Sequence, residues 1–447
     1  MSTGPGTGTG TGMSAPLQQI VVINDLSHAM GGASALAVAS ARRLAERGYR
    51  VAMLVGDRPD PALAAAGIAV TGLGQARLLG RASALLDGLW NRAAARMVRG
   101  WIAANDTPGT VYHLHGWSQI LSPSVFAALA PVRERLVISA HDFFLACPNG
   151  AFTNFATGAP CPHTALSRAC LAEACDRRGQ AHKAWRAARH AVQRRVFQPQ
   201  SSPPVLAIHA AMRPLLARAG IPAEAIHPLP NPVTPFSTTR IVAERNGDVL
   251  FVGRIEATKG ADLALAAARR AAMPIMLVGD GADRARLAAE YPEAHFAGRL
   301  APAAIGALAA SARVLVMPSR YPEPYGLVAM EAALAGLPVI LPPSALLAPD
   351  LVAAGAAIAV DPRDAEAFAA ALTALAADDG RVEAMSRAAF AATRHLALSP
   401  EEWIDALLAH YSARLGRVQV PAGTRSGSAS GSKLIAARPL GTSAAGI

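Results

Sequence analysis

Short apolar runs alternate with longer stretches of helical period along most of the chain. The first run, QQIVVIND (Gln18–Asp25), precedes a Gly31-Gly32 turn, a helix-period stretch through Arg47 and a second run at Arg50–Val55. Thr110–Gly116 (TVYHLHG), Arg135–Asp142 (RLVISAHD) and Pro204–Ala210 (PVLAIHA) complete a first block. A second block holds Gly247–Ile255, Pro274–Asp280, Glu293–Gly298, Arg313–Pro318, Leu337–Pro342 and Gly355–Pro362. Strands that are apolar throughout, separated by amphipathic helices, predict parallel sheets covered on both faces. The pattern therefore predicts an α/β protein of two Rossmann-like, doubly wound domains facing a central cleft. PLPNPVTP (Pro228–Pro235) reads as the crossing between them, and Glu401–Arg414 as a helix that returns to brace the first. On this reading residues 17–235, completed by a C-terminal helix over 396–416, form one domain and 236–395 the other. Ligands of such sheets bind beyond the carboxyl ends of the strands, so the residues just after each run matter most.

Composition narrows the class. Much of the 52% hydrophobic content is alanine, and proline, glycine or charge breaks every apolar run well short of the ~20 residues of a membrane span. The Gly/Thr-rich start carries no positive charge ahead of an apolar core, so it is not a secretory signal and a cytoplasmic protein is expected. The ends, 1–16 and 417–447, are poor in core-forming residues and are expected to be disordered. Of the 42 basic residues behind the net charge of +11, only Lys183, Lys259 and Lys433 are lysines. A lysine kept in so arginine-rich a chain suggests a site that wants a compact ammonium.

Two motifs carry candidate chemistry. In FVGRIEATKGADLAL (Phe251–Leu265), Arg254 follows a strand and Lys259 directly precedes Gly260 and a helix. Two cations beside a helix N-terminus form an anion site suited to a diphosphate; two solvated surface charges are the alternative. In YPEPYGLVAMEAALAGLPVI (Tyr321–Ile340), Glu323 stands between two prolines and Glu331 is the only charged residue from Pro324 to Pro349. Leu327, Glu331 and Leu334 share a helix face, so an unpaired Glu331 would cost several kcal/mol unless that face ends at a polar cleft. There it would accept hydrogen bonds from vicinal hydroxyls, as the ribose-binding acid of dinucleotide folds does. The alternative is a capping acid plus a paired core glutamate.

These residues in combination resemble the E-x7-E signature of the family-four retaining glycosyltransferases, which have the two-domain GT-B fold. The glycine loop and first helix (Gly31–Asp57), the stretch Ala207–Val233, VGDG (Val278–Gly281) and FAGRL (Phe296–Leu300) agree in order, from roughly Ile20 to Tyr411. The resemblance implies transfer of a sugar from a nucleotide-sugar donor to a saccharide or lipid-linked acceptor, with retained anomeric configuration. It implies that Arg254 and Lys259 hold the donor diphosphate, Glu331 the ribose hydroxyls and Glu323 the hydroxyls of the transferred sugar. Backbone N–H groups at Gly326 and Leu327 would cap a phosphate, and Arg299 and Leu300 would face the nucleobase. Gly31 and Gly32 would admit the phosphates without a Cβ in the way. Gly253 and Tyr325 fall within the same donor motifs, and His141 matches a histidine near the transferred sugar. With the diphosphate neutralised by cations, no cofactor such as Mg²⁺ is expected. His141 read alone would simply end its strand, and His113 and His115 read as structural or supporting.

Two features lie outside this assignment. Cys147, Cys161, Cys170 and Cys175 cluster within 29 residues, with His163 among them, inside an insertion spanning 143–180. A structural zinc held by the four thiolates, or by three and the histidine, is one reading, and buried thiols the other. Arg177–Phe197 carries seven Arg/Lys and no acid. It reads either as a basic amphipathic helix on an anionic membrane surface, making the protein peripheral at the inner face of the membrane, or as a solvated face. No nucleic-acid module is visible. A sugar-nucleotide epimerase or phosphorylase of the same fold, and a catalytically silent binding subunit, remain the rival functions.

Overall fold

The structure, a computed structural model, describes residues 16–78 and 83–417. The tails expected to be disordered lie outside the described residues, save Pro16 and Arg417 themselves. Thirteen strands form two sheets among the described residues. The first comprises β1 (Gln19–Asn24), β2 (Arg50–Val55), β3 (Ala69–Gly72), β4 (Thr110–Leu114), β5 (Leu136–Ala140), β6 (Val205–Ala207) and β7 (Ile226–Pro228). The second comprises β8 (Asp248–Val252), β9 (Ile275–Val278), β10 (His295–Gly298), β11 (Ala312–Val316), β12 (Val339–Leu341) and β13 (Ala357–Ala359). Every pairing between neighbouring strands is parallel. Ile20, Val21, Val22 and Ile23 are all fully buried, which is why the run that encodes β1 is apolar without alternation.

The strand order is β3-β2-β1-β4-β5-β6-β7 in the first sheet and β10-β9-β8-β11-β12-β13 in the second. Each order reverses once, between β1 and β4 and between β8 and β11. At such a switch point the loops diverge to opposite faces and leave a crevice at the carboxyl ends. The edge strands β3 and β7 were not expected from the sequence. Both are short, and β3 is half-exposed along its length, so neither gives a continuous apolar run.

The chain crosses between the sheets twice, side by side. Pro232 and Leu398 form an isolated parallel bridge, and the Val233 N–H donates to the Leu398 carbonyl at 2.9 Å. The second crossing leads into the C-terminal helix Pro400–Arg417. Trp403, Ile404, Leu407 and Tyr411 of that helix are buried on the first sheet with Ile20, Val22 and Leu36. Each such side chain stabilises the docking by about 1.5–3 kcal/mol before entropy is counted. No helix among the described residues is long and apolar enough to cross a membrane.

Candidate functional site

The loops after β8 and β11, on either side of the second switch point, are fastened together. Gly260 has φ +72°, and a Cβ there would lie 2.1 Å from the Pro318 carbonyl oxygen, so only glycine lets the loops touch. The Arg320 N–H donates to the Thr258 carbonyl at 3.0 Å, and its guanidinium grips Asp262 with two bonds of 2.8 and 2.6 Å. This brings Lys259 Nζ into contact with Glu323 Oε1, which also accepts from the Ser319 hydroxyl at 2.7 Å. Pro322 and Pro324 restrain the backbone on either side of that glutamate. Burial opposes the charge on Lys259, but the Glu323 carboxylate and then Tyr321 outweigh it, holding the ammonium above the usual lysine range. The Tyr321 ring lies 5.2 Å from the same nitrogen. Arg254 is exposed and donates to Glu256 Oε1 at 2.6 Å.

Gly326, at φ +77°, caps the helix Leu327–Leu334, whose first turn has no side-chain cap. Its leading N–H groups are therefore open to an anion. The first domain's glycine turn approaches the same place: a Cβ on Gly32 would lie 3.6 Å from Leu327 Cδ1. Gly31 caps the helix Gly32–Glu46, likewise without a side-chain cap. On the Leu327–Leu334 helix Ala329, Met330, Ala332 and Ala333 are buried around Glu331. The Glu331 carboxylate has no partner among the described residues, and burial pushes its pKa up to about 7. Its backbone carbonyl accepts from the Phe236 N–H at 3.2 Å, so it stands beside the interdomain crossing. Gly253 follows β8, and its N–H donates to the Val278 carbonyl at 2.9 Å. Arg299 is exposed just beyond β10, and Leu300 packs half-buried against the core.

His141 follows β5 and belongs to a chain of imidazoles that spacing alone did not connect. Its Nε2 is 3.0 Å from His115 Nδ1, and His115 Nε2 is 3.1 Å from His113 Nδ1. His113 meets the Tyr411 hydroxyl at 2.7 Å and the Ser139 hydroxyl at 2.9 Å. Burial holds all three histidines neutral, lowering His113 to about 3, His141 to about 4 and His115 well below its ordinary value. His141 Nδ1 is buried and has no partner among the described residues.

Three expectations need correction. Tyr325 is not positioned to meet a donor with its side chain. The ring is only 2% exposed, and its hydroxyl donates to the Leu396 carbonyl at 3.0 Å, in the second crossing. The cysteines surround a lysine, not a metal geometry. Lys183 Nζ lies 2.8 Å from Cys175 Sγ and 3.9 Å from Cys170 Sγ, while Cys147 is buried and Cys161 half-buried. No group of three or more His, Cys, Asp or Glu side chains among the described residues is arranged to hold a metal ion. Lastly, the stretch 177–197 does not present a continuous basic face. Lys183 and Arg189 are buried in it, and Arg186 pairs with Asp176 at 3.1 Å. Arg189 lies 5.1 Å from the Trp117 ring centroid and beside two acids, of which sequence reasoning passed over the first. One is Asp25, whose carboxylate takes the N–H groups of Gln119, Ile120 and Leu121 at 2.8 Å. The other is Asp142, pushed up to about 6 by burial.

Residues 30–235 match the family described as Glycosyltransferase Family 4, and residues 240–392 match Glycosyl transferases group 1. Both matches are to glycosyltransferase families, one over most of the first sheet and one over the second, and together they take in most of the chain. Among curated relatives it is 35% identical over 171 residues to a GDP-mannose-dependent alpha-mannosyltransferase of Mycolicibacterium smegmatis, covering 37% of this chain and 43% of that protein. It is 32% identical over 168 residues to a glycogen synthase of Mycobacterium tuberculosis, covering 35% and 40%. The match thus spans about two-fifths of these relatives' length. Among solved structures, Anabaena HepE in complex with UDP aligns with a TM-score of 0.63 at 16% identity, over 89% of this chain and all of that one. WaaG, a glycosyltransferase involved in lipopolysaccharide biosynthesis, aligns with a TM-score of 0.58 at 18% identity, over 87% and 99%. These likenesses establish the fold as GT-B.

Proposed function

We infer that the protein is a retaining glycosyltransferase that moves a sugar from a nucleotide-sugar donor to a saccharide or lipid-linked acceptor. The observation that carries this reading is the conjunction at the β8/β11 switch point. A buried Lys259–Glu323 pair, the partnerless Glu331 carboxylate and the uncapped start of the Leu327–Leu334 helix lie on loops and a helix that flank one crevice. An ammonium and free N–H groups suit a diphosphate, and two carboxylates suit the hydroxyls on either side of it.

On this reading Arg254 turns from Glu256 to the diphosphate and joins Lys259 in stabilising the charge that grows on the leaving phosphate. Glu331 holds the ribose hydroxyls and Glu323 those of the transferred sugar. The bond from the anomeric carbon to the phosphate oxygen breaks as the bond to the acceptor oxygen forms on the same face. The acceptor's proton passes to the departing phosphate, so neither a covalent nucleophile nor a divalent metal takes part. Assembly of cell-surface polysaccharide or glycolipid, in the cytoplasm, is the setting that fits such acceptors.

The test begins with thermal shift against GDP-mannose and UDP-glucose, the sugar nucleotide named for a relative and the one whose nucleotide half occupies a structural neighbour. Stabilisation by one donor, turnover that survives EDTA and a product of retained configuration by NMR are expected. An inverted product would overturn the retaining mechanism. Indifference to every nucleotide sugar tried would overturn the function.

A further inference from the structure

The imidazole chain has a direction, and the residue that sets it lies on the C-terminal helix. Tyr411 is fully buried, and among the described residues its hydroxyl has one partner, His113 Nδ1. If His113 carried its proton on Nδ1, the tyrosine hydroxyl would accept, and its own proton would be buried with nowhere to go. That arrangement is costly, so the hydroxyl donates and Nδ1 accepts. The neutral ring then carries its proton on Nε2, which donates to the Ser139 hydroxyl at 2.9 Å.

The consequence runs outward one ring at a time. His113 Nδ1 already takes the Tyr411 hydrogen, and His115 Nε2 faces it at 3.1 Å, where two bare nitrogens would repel; a proton on His115 Nε2, shared towards that acceptor, relieves the contact. His115 Nδ1 is then bare and takes a hydrogen bond from His141 Nε2 at 3.0 Å. That leaves His141 Nδ1 as a bare, buried nitrogen with no partner among the described residues, at the carboxyl end of β5. A buried acceptor without a donor is incomplete, and sugar hydroxyls are donors.

We propose that Tyr411 is a positioning residue: through His113 and His115 it locks His141 in the Nε2-protonated tautomer, so that Nδ1 accepts a hydroxyl of the transferred sugar. The opposite tautomer would offer that hydroxyl a donor where it needs an acceptor. The proposal rests on the glycosyltransferase reading only for the identity of the hydroxyl; the tautomer itself does not depend on it.

The experiment uses the full chain with ¹⁵N-labelled histidine, the His141 signals being assigned with His141→Gln. In the wild-type protein His141 Nε2 is expected to resonate as a protonated nitrogen and Nδ1 as a bare one. Tyr411→Phe, which keeps the ring and its packing, is expected to give a mixture of the two tautomers at His141. With the donor that thermal shift selects from GDP-mannose and UDP-glucose, this variant is expected to lose about tenfold in kcat with a smaller change in KM. A wild-type His141 protonated on Nδ1, or an unchanged tautomer in Tyr411→Phe, overturns the proposal whether or not the variant is active. If neither sugar nucleotide binds, the assigned function fails while the tautomer measurement still decides this inference.

Discussion

Lys259 and Glu323, 64 residues apart, form a direct ion pair that closes the gap between the loops after β8 and β11. The pair is largely removed from water, with side chains 22% and 10% exposed. Its two members therefore cannot be altered independently: removing one leaves the other buried without its counter-charge.

The first prediction concerns the shape of that cation. Lys259→Ala and Lys259→Arg are both expected to lower kcat at least about a hundredfold, the scale of losing one oriented stabiliser of developing charge. Arginine fails because its planar fork does not fit the pocket shared by Glu323 and the Tyr321 ring. Steady-state kinetics beside a thermal melt checks this. Lys259→Arg with near-normal turnover would show that charge alone suffices.

Glu323→Ala should differ from Glu323→Gln. Alanine strands the Lys259 ammonium and is expected to cost up to about 3–5 kcal/mol, the range for breaking a buried pair, reduced by the partial exposure of the lysine. Glutamine keeps the hydrogen bonds from Ser319 and Lys259, so it should lose activity with a smaller loss of stability. Urea unfolding of both variants separates the two effects.

These residues were the most legible part of the site, because a lysine in a chain nearly without lysine and a glutamate between prolines are visible in one dimension. Their contact was not legible. It depends on the approach of Gly260 to Pro318 and on the grip of Arg320 on Asp262, which only the packed loops reveal. The two-sheet architecture could be read from apolar runs because central strands are buried on both faces. Of the four edge strands, β10 and β13 were read from the sequence, while β3 and β7, which give no continuous apolar run, escaped. Arg189 was misread because helical spacing fixes which residues share a face, not which face docks; the ring of Trp117 decides that. Nothing local connects His113 to Tyr411, 298 residues away.

Glu331 gives a pH signature of its own. Its carboxyl is raised from 4.5 to about 7 by burial, so between those values the folded state holds a proton that the unfolded state has released. Stability therefore falls as pH rises through this window. Glu331→Gln removes the dependence. The variant should match the wild type near pH 4 and exceed it above pH 7 by on the order of 1–3 kcal/mol, while losing donor binding. Unfolding curves at three pH values test this, and equal stabilities at pH 8 would show the carboxylate to be relieved by some other group.

The histidine chain has the opposite sign. His113 and His141 are lowered from 6.5 to about 3 and about 4, so from pH 6.5 down to those values the unfolded state binds protons the folded state refuses. Stability is expected to fall on acidification through this range, with a slope that His115→Gln reduces. Melting temperatures across the acid range measure it. A wild-type protein whose stability is flat from pH 6.5 to 4 would mean that the rings are not sequestered.

Tyr325 supplies the last prediction, because its position separates two roles that the motif alone confounds. Its hydroxyl ties the loop holding Glu323 to the Leu396 carbonyl at 3.0 Å and faces the Asn231 carbonyl at 3.4 Å, so it touches both crossings between the sheets. Tyr325→Phe keeps the buried ring but leaves the Leu396 carbonyl without this donor, at a cost of about 1 kcal/mol. If the side chain serves the crossing, donor affinity by calorimetry should stay within about twofold of wild type while the melting temperature drops. A loss of affinity with unchanged stability would return Tyr325 to the donor site.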